Sequence, residues 1–260
     1  MGHWVEEAIM HRPTFLCLLP LAVCGFIQAQ DAPSVDDLVA KSVAARGGDA
    51  KVKAIQSIKV TGTMTAPTGM QLPLTILVKR PGLIRTEMSL QGNSLVQAYD
   101  GVTAWVINPM TGSSDPRPSS ESDSKNIRNG AESFLDGPLV DYKAKGSKVE
   151  YAGKEDVNGS PAYKLKITTK SGLEMTVYLD AKSYLEVRTT AKVTQMGQEM
   201  EVDNYPGDYK PEAGVLMAHT MESKMNGATM MKMSLDKIEI NGPVDDAAFK
   251  MPAKPETKKQ

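Results

Sequence analysis

The sequence is poor in the residue types that most often carry chemistry, beginning with cysteine. Its two cysteines, Cys17 and Cys24, lie within the first thirty residues, and the rest of the chain has none. That part of the chain therefore has no disulfide framework, no thiolate metal site and no cysteine nucleophile. Aromatic residues make up only 5% of the chain, whereas methionine is abundant, with 16 residues. Methionine is flexible and polarizable, so it suits surfaces that accommodate varied apolar partners.

Histidine is also scarce, because beyond residue 29 the chain has only His219. A zinc site there would need carboxylates as its other ligands, which zinc seldom uses. We therefore predict no metal site and interpret His219 as a hydrogen-bonded core residue. The sequence also has no Gly-x-Ser-x-Gly motif, no phosphate-binding glycine loop and no dinucleotide fingerprint. A glycosidase-type carboxylate pair stays open, although no pattern indicates one; we predict a protein that is not an enzyme and uses no cofactor.

The charge of the chain argues against a nucleic-acid partner. The formal net charge is −1 and the lysines are dispersed, so no basic patch is available to bind phosphates by counterion release. The one lysine cluster lies in residues 253–260, whose proline- and lysine-rich composition predicts a disordered tail.

The N-terminus has the pattern of a secretory signal peptide. Arg12 precedes an apolar run over residues 15–27, and Ala29 is the last small residue before polar sequence begins at Gln30. A cationic flank, a short apolar core and small residues before a polar start are typical of such peptides. We predict that residues 1–29 are removed and that the mature chain begins at Gln30.

Two details of this segment bear on where the protein resides. Met10 is the expected translation start, because Glu6 and Glu7 lie in the preceding stretch and signal peptides avoid acidic residues there. Residues 21–24 resemble a lipobox, in which Cys24 would be acylated. We therefore expect a periplasmic protein, with an outer-membrane lipoprotein anchored through Cys24 as the alternative.

Alternation of apolar and polar side chains dominates the sequence from residue 58 to residue 240. The alternating runs end at turn signals such as Asp100-Gly101 and Asn226-Gly227, which is typical of consecutive antiparallel strands. Alternation also means that each strand has one wet face. We predict about ten or eleven strands in a single domain over residues 30–252.

Three segments have helical spacing. The first runs from Asp31 to Arg46 with Ser34 as its N-cap, and a short second stretch covers residues 49–56. The third covers residues 124–142, where Gly130, Gly137 and Pro138 predict that the helix is broken into short pieces.

Two irregularities are predicted between the regular elements. Residues 111–124 are rich in serine, proline and aspartate and predict a loop. Near Asp236 the apolar phase slips by one residue between Leu235 and Ile238, which a β-bulge explains.

An ordered set of short motifs resembles the LolA/LolB-like family of periplasmic carriers and receptors that sort lipoproteins to the outer membrane. The resemblance extends from Ser57 to Pro252. Its motifs are Val78–Arg85, Tyr99–Trp105, Asn108-Pro109, Tyr178–Asp180, Tyr184–Arg188, Tyr205–Tyr209 and Ala248–Pro252. The chain departs from the family in having few Phe and Trp residues, with Met, Leu and Val in their place.

The resemblance implies a fold and a binding site. The fold is mainly β: an incomplete, curved antiparallel half-barrel whose concave face is covered by helices. Arg80 matches the arginine that holds the helical lid closed in carriers of the family. The apolar side chains expected to line the cavity are Ile76, Val78, Met88, Leu90, Trp105, Met175, Val177, Met217, Met221, Met231 and Met233.

The resemblance also implies a function and partners. The chain is expected to bind lipid or lipoprotein acyl chains in an apolar cavity, as a periplasmic carrier or receptor in outer-membrane lipoprotein sorting. Its partners would be a lipid or acylated lipoprotein and envelope transport proteins, and the chain is expected to be a monomer. The alternative is an accessory or interaction module of the cell envelope that has the same fold and no catalytic activity.

Overall fold

The computed structural model describes residues 1–2, 32–195 and 198–254, so nearly all of the predicted signal peptide and most of the predicted tail lie outside the described residues. The strands form one antiparallel sheet, and the helices lie against it. The helices are α1 (Val35–Ala45), α2 (Asp49–Lys53) and α3 (Glu121–Leu135), with two 3-10 turns, η1 (Pro109–Thr111) and η2 (Asp246–Phe249). The strands are β1 (Ser57–Thr65), β2 (Gln71–Lys79), β3 (Leu83–Leu90), β4 (Asn93–Tyr99), β5 (Ala104–Asn108), β6 (Ser113–Pro118), β7 (Lys148–Val157), β8 (Ser160–Thr168), β9 (Glu174–Asp180), β10 (Glu186–Gln195), β11 (Gln198–Glu212), β12 (Val215–Met225) and β13 (Ala228–Ile240).

The order of the strands explains how the sheet comes to be covered. Two meanders, β6 to β1 and β13 to β7, join through the pairing of β1 with β13, which leaves β6 and β7 as the two opposite edges. Because β6 and β7 are consecutive in sequence, the chain between them must travel from one edge of the sheet to the other. α3 makes the first part of this crossing, over strands β1 to β5, and residues 136–147 complete it. This agrees with the predicted open half-barrel covered by helices. The described residues form thirteen strands rather than the predicted ten or eleven, in part because β6 lies where a loop was predicted.

The inner face of the sheet is the face that bears Val60, Ile76 and Val177 and that packs against the helices. α3 and α2 cover one half of it, around Val60 and Ile76, and α1 covers the other half, around Val177. Burial of these apolar side chains is the main contribution to the stability of the fold, because each Å² of apolar surface removed from water contributes about 25 cal/mol.

The end of α1 shows how the helices are anchored to the sheet. The predicted end of the first helical segment at Arg46 is confirmed, since Arg46 is the C-cap of α1 and the next two residues, Gly47 and Gly48, have positive φ. Gly47 lies so close to the β11–β12 turn that a Cβ atom would be 2.5 Å from the carbonyl oxygen of Gly214. The amide of Leu216 donates to the carbonyl of Arg46 at 2.8 Å, which fixes the end of α1 to the sheet.

Two predictions of local structure were wrong. Part of the predicted loop forms the edge strand β6, whose prolines are tolerated because an edge strand pairs on one side only. The predicted broken helix is continuous from Glu121 to Leu135 and passes through Gly130. The Ser120 side chain caps it by accepting a hydrogen bond from the Asp123 amide at 3.1 Å, which offsets part of the cost of an internal glycine.

The predicted bulge is confirmed, because Thr61 pairs with Lys237 and Gly62 with Leu235, which leaves Asp236 unpaired. The bulge keeps Leu235 and Ile238 on the inner face on either side of the slip.

None of the helices in residues 32–195 and 198–254 has the length and apolar character needed to span a membrane.

Candidate functional site on the inner face of the sheet

Four of the residues predicted to line a cavity lie in the core beneath the helices. Ile76 and Val78 are buried under α2 and α3, and Val177 is buried under α1. Met217 is also buried, with 8% of its surface exposed. These side chains already contact the protein's own helices, so a ligand would reach them only if the helices moved.

A second part of the inner face is only half-buried, and methionines dominate it. Met64 on β1 lies directly opposite Met233 on β13, which lies directly opposite Met221 on β12. All three side chains are half-buried. We call this set of three, Met64, Met233 and Met221, the methionine row. Leu72 and Pro206 continue it on the strands to either side.

The other predicted methionines and Leu90 are also half-buried. Met88 lies opposite Leu74 and Leu95, Met231 lies opposite Ser223, and Met175 lies opposite Ile167 and Ala191. Leu90 ends β3 beside a surface cavity of about 190 Å³ that Leu95 and Met110 also line. The structure therefore places these four residues on the inner face or at its margin.

The prediction for Trp105 was wrong, because its side chain lies on the opposite, outer face. Trp105 pairs with Ala98, which pairs with Arg85, whereas the neighbouring Ile84 and Tyr99 face α3. The Trp105 ring lies 5.6 Å from the Arg85 guanidinium and is fully buried. Its Nε1–H donates to the carbonyl of Phe249 at 2.7 Å, so it anchors η2 rather than lining a cavity.

Arg80 lies where β2 ends and contacts the C-terminal end of α3. Its Nη1 and Nη2 donate to the two carboxylate oxygens of Asp136 at 3.2 and 2.5 Å, and its Nε donates to the carbonyl of Ile55 at 2.6 Å. Asp136 is the C-cap residue of α3. A bidentate pairing of this kind is stronger and more directional than a single hydrogen bond.

Two further cations hold the same end of α3. Arg46 donates from Nη1 to the carbonyl of Asp136 at 2.9 Å, and Lys145 lies 3.7 Å from the Asp136 carboxylate and 2.9 Å from Glu132. Cations at a helix C-terminus also interact favourably with the helix dipole. We call Arg80, Arg46 and Lys145 with Asp136 the α3 clamp.

The clamp shifts the pKa of both partners of its central ion pair. Burial raises the pKa of the Asp136 carboxyl, but the hydrogen bond from Arg80 and the charges of Lys145 and Arg80 outweigh it, so that pKa lies below its ordinary value. The hydrogen bond to Asp136 raises the pKa of Arg80. Both groups are therefore charged at neutral pH, and the pair is intact there.

An apolar groove lies between α1 and the segment that follows α3. It has a volume of about 480 Å³ and its apolar wall includes Val39, Val43 and Leu139. The groove is open to solvent beside Tyr142 and Lys143. Sequence reasoning missed it, because it forms between two segments about a hundred residues apart.

His219 is a buried core residue, as predicted. Its Nδ1 lies 3.0 Å from the carbonyl of Leu235, and its Nε2 lies 3.1 Å from the Glu212 carboxylate. Both ring nitrogens are therefore engaged. Within residues 32–195 and 198–254, no three His, Cys, Asp or Glu side chains are grouped so that they could hold a metal ion.

Comparison with solved structures identifies the architecture. An outer membrane lipoprotein-sorting protein domain from Vibrio parahaemolyticus superposes with a TM-score of 0.55 at 14% identity, over 82% of this chain and 94% of that one. A LolA superfamily protein from Nitrosomonas europaea superposes with a TM-score of 0.55 at 11% identity, over 84% of this chain and 98% of that one. The chain has a LolA-like fold. A DUF1329 family protein from Desulfovibrio piger shares it, with a TM-score of 0.50 at 14% identity over 84% and 98%.

The LolA-like fold agrees with the resemblance seen in the sequence motifs. No family model and no curated protein matches the sequence. Because the identities are only 11–14%, these superpositions establish the fold alone, and the function is argued from the site.

Sequence reasoning missed Asp136, Arg46 and Lys145 at the clamp, because the resemblance named only Arg80. It also missed Met64, whose alternation with Ile58 and Val60 could have placed it beside Met233.

Proposed function

We propose that this chain is an exported carrier or receptor that binds lipid or lipoprotein acyl chains on the half-buried part of its inner face. The observation that carries the proposal is the pairing of Arg80 with Asp136, which fastens the helix that crosses the inner face. In this proposal α3 is a lid, Arg80 holds it closed, and acyl chains enter when it lifts. The chain acts in outer-membrane lipoprotein sorting without catalysis.

The energetics of such a site are favourable. Each CH₂ group that leaves water contributes about 0.8 kcal/mol, so a few groups in contact with apolar side chains offset the loss of the clamp's hydrogen bonds, about 1.5–3 kcal/mol for a charged pair. The methionine row supplies flexible, polarizable contacts suited to acyl chains of differing length. The groove beside Val39, Val43 and Leu139 offers further apolar surface at the edge of the helices.

The proposal places the chain in the periplasm, where it would exchange cargo with envelope transport proteins as a monomer. Sequencing the N-terminus of protein recovered from the periplasm tests this, and Gln30 is the expected first residue. An acylated Cys24 at the N-terminus would instead make the chain an outer-membrane lipoprotein and a receptor rather than a carrier.

A second function is supported by the fully buried part of the inner face. Ile76, Val78 and Val177 are buried against the protein's own helices, as expected of a module that contacts envelope proteins without binding lipid. The two functions differ in whether α3 can lift from the inner face.

Native mass spectrometry distinguishes the two functions. The chain is purified from envelope extracts without detergent exchange and then mixed with a diacylated peptide or with the same peptide lacking its acyl chains. A carrier or receptor shows a mass increase of one acylated peptide and none with the control peptide. Binding of neither peptide, or equal binding of both, would contradict the proposal and favour the accessory module.

A further inference from the structure

The methionine row has a property that apolar binding does not require. Met64, Met233 and Met221 bring three thioether sulfurs to three adjacent strands at directly opposed positions. Directly opposed side chains on neighbouring antiparallel strands have Cβ atoms about 4.5–5.5 Å apart. Methionine has three rotatable side-chain bonds, so three sulfurs spaced in this way can converge on one point above the central strand.

The surroundings of the row leave sulfur as the available donor. The side chains that continue it, Leu72 and Pro206, have no donor atoms, and His219, two residues before Met221, has both ring nitrogens engaged. On the other side of Met221, the Ser223 hydroxyl donates to Oδ1 of Asn204 at 2.6 Å, and hydroxyl and amide oxygens are hard ligands that copper(I) does not prefer. Beyond Cys24 the sequence contains no thiol that could compete. The row is half-buried, so an ion can reach it from solvent.

We propose that the methionine row binds one copper(I) ion through the thioether sulfurs of Met64, Met233 and Met221. Soft thioether ligands select copper(I) over the harder divalent metals, which prefer nitrogen, oxygen or thiolate. Neutral ligands also favour a monovalent ion, because they leave only one charge to be accommodated in a half-buried site. This site does not depend on the proposed binding of acyl chains.

Competition with a chromogenic copper(I) chelator tests the site. Copper(I) is titrated under ascorbate into the purified chain in the presence of bicinchoninate, and the chain is expected to withhold one equivalent from the dye. Copper-edge X-ray absorption on the same complex is expected to show a first shell of sulfur alone. This measurement needs no variant and therefore does not depend on how any substitution folds.

Substitution by leucine assigns the ligands. Leucine keeps the volume and apolar character of methionine, and such exchanges are well tolerated in cores. Each of Met64→Leu, Met221→Leu and Met233→Leu is expected to weaken copper(I) binding by at least about tenfold, because each removes one ligand. The triple variant is expected to withhold no copper.

Met88→Leu is the matched control. Met88 is also half-buried on the inner face, but it lies opposite Leu74 and Leu95 and has no thioether directly across from it. Copper(I) affinity within about twofold of the unmodified chain is expected for this variant. An equal loss in Met88→Leu would show that binding is spread over the inner face and would overturn the assignment.

Three other results would overturn the site. These are no copper withheld from bicinchoninate, nitrogen or oxygen in the first shell, or undiminished binding by the triple leucine variant. The same variants separate this proposal from the binding of acyl chains. Leucine removes sulfur while keeping apolar surface, so the triple variant should still bind the diacylated peptide if that function is correct.

Discussion

The guanidinium of Arg80 forms two hydrogen bonds with the carboxylate of Asp136, which lies 56 residues later in the sequence at the end of α3. The side chains are 26% and 16% exposed, so solvent screens the pair only in part. Charged hydrogen bonds of this kind contribute about 1.5–3 kcal/mol. Breaking this contact is the most direct test of whether α3 acts as a lid.

Arg80→Leu should loosen α3 without unfolding the sheet. Removing the clamp lowers the free energy needed to lift the helix, so amide hydrogen exchange in residues 121–136 should accelerate by roughly tenfold or more. If α3 covers the binding site, the apparent affinity for the diacylated peptide should rise, because more molecules are in the binding-competent state. Lys237→Leu, which removes an exposed ion pair with Glu239, serves as the control. Unchanged exchange and unchanged peptide binding in Arg80→Leu would remove the lid from the proposed function.

Acid should open the same contact. The pKa of Asp136 is lower in the folded protein than the ordinary pKa of an aspartate. The stabilisation from the ion pair is therefore fully present above the ordinary pKa and is lost as the pH falls through the pKa of the folded protein. Urea unfolding at about pH 6 and about pH 3 should therefore show a smaller loss of stability in Asp136→Asn than in the unmodified chain. Equal losses in both proteins would mean that other carboxyls control the acid response.

Truncation of side chains in the methionine row should weaken peptide binding more than it lowers the stability of the fold. Met221→Ala and Met233→Ala remove half-buried side chains, so each should lower the free energy of unfolding by about 1 kcal/mol while weakening peptide binding. Met217→Ala is the comparison, because Met217 is buried in the core and its truncation should cost roughly 2–5 kcal/mol. Thermal unfolding and peptide titration measure both quantities. A large loss of stability with unchanged affinity in Met221→Ala would show that the row is structural.

Trp105 should matter for stability and not for binding. Trp105→Phe removes the hydrogen bond to the Phe249 carbonyl and leaves a buried acceptor without its partner, at a cost of about 1–3 kcal/mol. Because Trp105 lies on the outer face, binding of the diacylated peptide should stay unchanged. Thermal unfolding and peptide titration again report the two quantities. Weaker peptide binding by a stably folded variant would place Trp105 at the ligand site after all.

Gly130→Ala should stabilise α3. The added Cβ atom would lie 3.5 Å from Cδ1 of Ile84, an ordinary contact, and alanine gains up to about 1 kcal/mol over glycine inside a helix. Gly62→Ala gives the opposite case, because its Cβ atom would lie 2.1 Å from the carbonyl oxygen of Ser234. Urea midpoints should therefore move up for Gly130→Ala and down for Gly62→Ala. A downward shift in Gly130→Ala would mean that Ile84 cannot adjust.

Local patterns in the sequence were sufficient for much of the fold. Alternation predicted an antiparallel sheet, and the slip between Leu235 and Ile238 predicted the bulge at Asp236, because side chains on a strand must alternate between two faces. Composition predicted a loop in place of β6, because it does not show that an edge strand needs only one partner and tolerates residues that a central strand would not. Composition also predicted a break in α3, where packing and the cap at Ser120 outweigh one internal glycine.

The sequence by itself determined that Trp105 and Ala104 point to opposite faces, but only the tertiary structure decided which face is the inner one. Both faces carry buried apolar side chains near β5, so alternation has no means of distinguishing them. The same limit applies to the clamp and to the methionine row. Their residues come from segments far apart in the chain, and the strand register and the packing of α3 across β1 to β5 bring them together.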